Sequence, residues 1–105
     1  MSGARFISPS ELEKLMPKVE KGDCVLLDIR TAREFRSGHI RCARSIPVEE
    51  LEGRSEELDT EKSLVIYCRT GKRCLRAMSF LEKDHAEILI LEGGLERWPG
   101  SIISG

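Results

Sequence analysis

Three short, nearly unbroken apolar runs constrain this chain more than any other feature: residues 24–29 (CVLLDI), 63–68 (SLVIYC) and 87–91 (EILIL). A strand with one wet face alternates apolar and polar residues. These runs do not, so each reads as a strand covered on both faces. The segments between them carry helical spacing instead. Ser8-Pro9-Ser10-Glu11 is a capping box with proline at the first helical position, and Leu12, Leu15, Met16 and Val19 follow on one face until Gly22-Asp23. Residues 31–34 form a second capping box, with Gly38 placed to end that short helix. Residues 40–47 have room for a short strand, followed by an irregular acidic segment with a helical turn near residues 48–51. Cys74, Ala77, Met78 and Leu81 mark one face of a helix starting near Arg73, Gly93-Gly94 marks a turn, and residues 95–98 form a helical turn stopped by Pro99. Strands alternating with helices predict one α/β domain over residues 1–105, a mainly parallel sheet of four or five strands flanked by helices.

At 105 residues there is room for one domain, and a net charge of -1 gives no global attraction to nucleic acid or an anionic membrane. No run approaches membrane-spanning length, and the first residues lack the apolar centre of an export signal, so a cytoplasmic protein is expected. Cys24, Cys42, Cys68 and Cys74 include no C-x-x-C pair, and His39 and His85 stand at no zinc-finger spacing. Neither a metal nor another cofactor is expected. Nor are disulfides needed by a chain with an ordinary core.

In a parallel sheet the reactive crevice lies beyond the carboxyl ends of the strands, which singles out residues 28–30 and 68–73. Cys68 ends its apolar run and is followed by a short loop, Arg69-Thr70-Gly71-Lys72, and then a helix. Gly71 permits a tight turn whose backbone N–H groups converge, and a helix start adds partial positive charge. The charge pattern points the same way. Of the 17 basic residues, Arg69, Lys72, Arg73 and Arg76 fall within residues 68–81, which hold no acid, leaving 13 basic against all 18 acidic residues elsewhere. Each of these features favours thiolate over thiol, and the thiolate is the nucleophile. The bland alternative is a buried cysteine serving as a small hydrophobe beside a solvated helix face. The loop and its charges together favour the nucleophile.

Asp28-Ile29-Arg30, Glu34-Phe35, Gly38-His39-Ile40, Ala43, Ile46-Pro47, the Cys68 loop through Arg73, and Gly93-Gly94 through Trp98 stand in an order that resembles the rhodanese homology domain. The resemblance runs from about Leu26 to Trp98. It implies sulfurtransferase activity: Cys68 takes a sulfane sulfur from a small anionic donor such as thiosulfate. The resulting persulfide delivers it to cyanide, a thiol or a protein acceptor. Residues Arg69, Thr70, Gly71, Lys72, Arg73 and Cys74 would form the loop that holds donor and persulfide, with Asp28 and Arg30 in support. The alternative within the same resemblance is a low-turnover persulfide carrier or a regulatory binding module.

Loop length separates this from phosphatases and arsenate reductases, whose loops carry arginine six positions after the cysteine. Here Arg73 lies five positions after Cys68, and position six is Cys74. Asp28 and Arg30 read first as an ion pair tying the loop after their strand to Glu34 or its surroundings, and second as a charge network for the active loop. His39 reads first as structural, at a helix stop and strand entry, with a catalytic acid as the alternative, and Trp98 reads as a core anchor. Cys74 reads first as core, since it shares a face with Ala77, Met78 and Leu81; the alternative is a thiol that bonds or relays sulfur to Cys68. Cys24 and Cys42 read as structural, and the C-terminal WPGSIISG departs from the family ending.

Overall fold

The computed structural model describes residues 4–70, 72–81 and 87–105. All three apolar runs are strands: β2 (Cys24–Asp28), β5 (Ser63–Tyr67) and β6 (Glu87–Leu91). They follow β1 (Ala4–Ile7) and α1 (Pro9–Lys21), and are separated by α2 (Ala32–Ser37), β3 (His39–Ile40), β4 (Arg44–Ser45), α3 (Val48–Arg54) and α4 (Lys72–Leu81). A 3-10 turn (Gly94–Arg97) and β7 (Ile102–Ile103) complete the order. Both capping boxes form: Ser8 with Glu11 starts α1, and Thr31 with Glu34 starts α2.

The main sheet is five-stranded in the order β1-β6-β5-β2-β4, and every pairing is parallel. Its central strands are buried on both faces, as their unbroken apolar runs require. On one face Leu27, Leu64, Ile66, Ile88 and Ile90 pack with Leu51, Cys74, Ala77 and Leu81 from α3 and α4. On the other, Leu26, Val65, Tyr67 and Leu89 pack with Leu12, Met16 and Val19 of α1 and with Trp98, which anchors the core as expected.

Residues 40–47 differ from expectation. Rather than one strand, the segment holds the end of β3 and all of β4, divided at Cys42, a non-glycine residue with φ 71°. β3 leaves the main sheet to pair antiparallel with β7, while β4 extends the main sheet beside β2. β1 and β7 were not anticipated.

Tyr67 joins these layers. Its ring is fully buried, and its hydroxyl oxygen accepts the Ile40 N–H at 3.0 Å, tying β5 to β3 across 27 residues. Burial, and then the nearby Asp28 charge, push the phenol far above its ordinary pKa, so it stays neutral. Tyr67→Phe leaves a buried N–H without its acceptor and is expected to cost about 1–3 kcal/mol. Urea unfolding measures this; an unchanged midpoint would show that the bond contributes nothing.

Candidate active site

Cys68 follows the last residue of β5 and continues its alternation, so it lies with Leu64 and Ile66 on the face that packs against α4. Its backbone is held from the side. The Cys68 carbonyl accepts the Leu95 N–H at 2.8 Å, and the Arg69 carbonyl accepts the Glu96 N–H at 3.1 Å. This close approach explains Gly94. A Cβ there would lie 2.5 Å from both carbonyl oxygens, and its φ of +64° suits glycine. The Gly93-Gly94 turn, read from the sequence only as punctuation, is therefore the clamp that fixes where the Cys68 loop begins.

The sulfur of Cys68 has Cys74 as a neighbour. The Cys74 S–H donates to the Cys68 Sγ at 3.7 Å, with the two residues 0% and 1% exposed. The hydrogen bond to Cys68, followed by burial, drives the Cys74 pKa far up, so Cys74 remains a thiol. The core reading of Cys74 holds, since it shares its buried face with Ala77 and Leu81, and its sulfur also lies beside that of the candidate nucleophile.

Arg73 stands in the first turn of α4 and makes a bidentate pair with Glu34 of α2, at 2.8 and 3.0 Å. The pair lies 39 residues apart in sequence, and no spacing rule would have found it. Arg73 lowers the Glu34 pKa to about 2, while Glu34, more than any other group, raises that of Arg73. The Arg73 charge also acts on Cys68.

Asp28 and Arg30 form a buried pair, 0% and 6% exposed. The Arg30 Nη2 donates to Asp28 Oδ2 at 2.6 Å and to the Gly38 carbonyl at 2.6 Å, and the guanidinium lies 5.9 Å from the Tyr67 ring centroid. The expected tie therefore runs from the strand end to the close of α2. It ends on the Gly38 carbonyl rather than on the Glu34 carboxylate, which Arg73 occupies. His39 is held in the fold: its Nδ1–H donates to the Phe35 carbonyl at 2.8 Å, and its ring stacks on Phe35 at 3.7 Å.

The basic island is less bare than its sequence suggested. Arg69 pairs with Glu96 at 3.0 Å, Arg73 with Glu34, and Arg76 with Glu49 at 3.5 Å. Among the described residues Lys72 has no ion-pair partner, and Thr70 is exposed. The turn assigned to Gly71 lies outside the described residues, as does His85. Beside the loop is a cleft of about 430 Å³ lined by Arg30, Glu34, Ser37, Arg69, Leu95 and Glu96. A smaller one of about 280 Å³ beside Met16 and Trp98 belongs to the opposite face of the sheet. No group of three metal-ligating side chains is assembled among the described residues, and no helix among them is long and apolar enough to cross a membrane.

A family model described as the Rhodanese-like domain matches residues 8–100. The protein YqhL of Bacillus subtilis is 41% identical over 78 residues; the match covers 73% of this chain and 62% of that longer protein. The thiosulfate sulfurtransferase GlpE of Coxiella burnetii is 32% identical over 81 residues, covering 76% of each chain. Among solved structures, a rhodanese-related protein from Thermoplasma volcanium superposes with a TM-score of 0.82 at 25% identity, covering 94% of this chain and 97% of its own.

The Glu34–Arg73 pair yields a pH-dependent expectation. Glu34→Gln keeps a side chain able to cap α2 but removes the charge, at an expected cost of about 1 kcal/mol at neutral pH for a pair this open to solvent. A depressed folded-state pKa contributes stability above the ordinary value of 4.5 and loses it as pH falls toward about 2. The stability gap between wild type and variant, followed by thermal unfolding, should therefore close over that window. A gap independent of pH would contradict the charged pair.

Proposed function

Because the chain belongs to the rhodanese-like domain family, we propose that it is a sulfurtransferase carrying sulfane sulfur on Cys68. One observation carries the reading: a cysteine clamped at the carboxyl end of a central parallel strand, against a helix start, under the charge of Arg73. The Cys68 thiolate attacks the outer sulfur of thiosulfate or a similar anionic donor. Its S–S bond breaks, sulfite leaves with the bonding electrons, and a persulfide remains. A thiophilic acceptor (cyanide, a small thiol or a protein thiol) then attacks the outer persulfide sulfur and returns Cys68 to thiolate. With Cys68 only 1% exposed, a donor that presents its reactive sulfur at the end of an S–S bond suits the site.

Roles for the surrounding residues follow from their placement. Arg73, fixed by Glu34, supplies a positive charge beside Cys68, and the exposed Arg69, Thr70 and Lys72 are the side chains assigned to meet the donor. Asp28 and Arg30 support the neighbouring strand end from within. None of the four cysteines is in a disulfide, and the cytoplasm is the proposed location. The pairing of Arg69 and Arg73 with carboxylates favours a second reading, a persulfide carrier that turns over slowly with small anions and serves a protein acceptor.

Cys68→Ser is expected to abolish turnover of thiosulfate and cyanide while leaving the fold intact, because a hydroxyl is a far weaker acid than a thiol and its oxygen cannot carry a persulfide. Wild-type turnover in that variant would contradict the assignment. Hydrolysis of p-nitrophenyl phosphate should be negligible, since Arg73 is one position short of the phosphatase spacing and is already paired.

Donor recruitment separates the enzyme from the carrier. Glu96→Gln releases Arg69 and should lower the thiosulfate concentration needed for half-saturation roughly two- to fivefold at low salt. Arg69→Ala with Lys72→Ala should raise it, and both effects should shrink as salt is added. If neither variant moves donor saturation, the carrier reading replaces the enzymatic one.

A further inference from the structure

Each of the four cysteines has a distinct setting, and only two of them meet. Cys24 packs in the core on the α1 face, and Cys42 is exposed at a turn of positive φ. Cys68 and Cys74 come from β5's end and the first turn of α4, six residues apart, and bring their sulfurs within 3.7 Å. Nothing in the transfer chemistry requires a thiol at the second position, because the outer sulfur of a persulfide is delivered to an acceptor arriving from solvent. The buried thiol behind the nucleophile is therefore unexplained by sulfur transfer.

We propose that Cys68 and Cys74 are a reversible modification site: when a peroxide oxidises Cys68, Cys74 captures it as an intramolecular disulfide. The chemistry is complete with hydrogen peroxide as the oxidant. The Cys68 thiolate attacks one peroxide oxygen, the O–O bond breaks, hydroxide leaves, and Cys68 becomes a sulfenic acid. Cys74 sulfur then attacks Cys68 sulfur as the S–O bond breaks. The Cys74 proton leaves with the departing hydroxyl as water, and an S–S bond remains. Both cysteines are oxidised by one electron each, and the peroxide is reduced by two. A dithiol resets the pair by exchange.

The geometry suits this capture. A disulfide needs its sulfurs about 2 Å apart, so the pair must close by somewhat less than that, within reach of side-chain rotation and a small shift at the start of α4. Cys74 holds its proton at rest, so it does not compete with Cys68 as a nucleophile. It becomes a partner only when Cys68 sulfur turns electrophilic. Capture at the sulfenic stage also stops the climb to sulfinic and sulfonic acids, which thiols do not reverse. The site does not depend on which donor or acceptor the protein uses.

The test is to treat the reduced full chain with equimolar hydrogen peroxide, then record intact mass and a non-reducing peptide map. Wild type should become lighter by two hydrogens, with one new cross-linked peptide pair joining Cys68 to Cys74, and dithiothreitol should restore the starting mass. In Cys74→Ser, and in Cys74→Ala as a second variant, Cys68 should instead gain oxygen, with sulfinic acid accumulating at least about tenfold faster than in wild type. The wild-type map decides the matter even if both variants misfold. Oxygen addition at Cys68 in wild type without the cross-link, or a cross-link to Cys24 or Cys42, overturns the proposal.

Discussion

Along β5 and the residue that follows it, the side chains of Leu64, Ile66 and Cys68 face α3 and α4, while Val65 and Tyr67 face α1. In a strand buried on both faces this period-two alternation cannot slip, because a shift of one residue would exchange the two core layers. It therefore determines both the direction of the Cys68 sulfur and the position of the Tyr67 hydroxyl. Neighbouring chain holds the same strand end on either side: Ile29 donates to the Tyr67 carbonyl at 3.1 Å, and Leu95 donates to the Cys68 carbonyl at 2.8 Å. The loop after Cys68 thus starts from a fixed point, and its chemistry depends on that fixity.

Electrostatics refine the site without dominating it. The arginines flanking the loop are matched by carboxylates from other elements, which lessens repulsion among cations and sets their directions. The Arg73–Glu34 pair also fastens the start of α4 to α2 across the mouth. The buried Asp28–Arg30 pair performs a comparable task from inside, closing α2 onto the end of β2 through the Gly38 carbonyl. Isolated charges so deeply buried would be costly. Mutual pairing and the carbonyl contact let these two persist.

The central layers were legible in the sequence because their signals are local. Unbroken apolar runs give buried strands, capping boxes give helix starts, and a cysteine at a strand's end before a helix gives the candidate nucleophile. What escaped depends on tertiary structure. β1 shows no buried run, since it lies at the sheet edge with Arg5 and Phe6 exposed. β7 is two residues long and exists by pairing with β3. The break at Cys42 needs a positive φ, which a cysteine does not signal by its own residue type although it stands where the family pattern has glycine. The clamping role of Gly94, the Glu34–Arg73 pair and the Arg69–Glu96 pair all join residues at least 25 positions apart, beyond the reach of motif spacing.

The central claim is that Cys68 carries a sulfane sulfur, and intact mass of the purified chain after incubation with thiosulfate tests it most directly. The account predicts the gain of one sulfur atom, mapped to the peptide containing Cys68, absent in Cys68→Ser and removed on adding cyanide with release of thiocyanate. No gain of mass in a folded, fully reduced wild-type chain, or a sulfur that maps elsewhere, would contradict it.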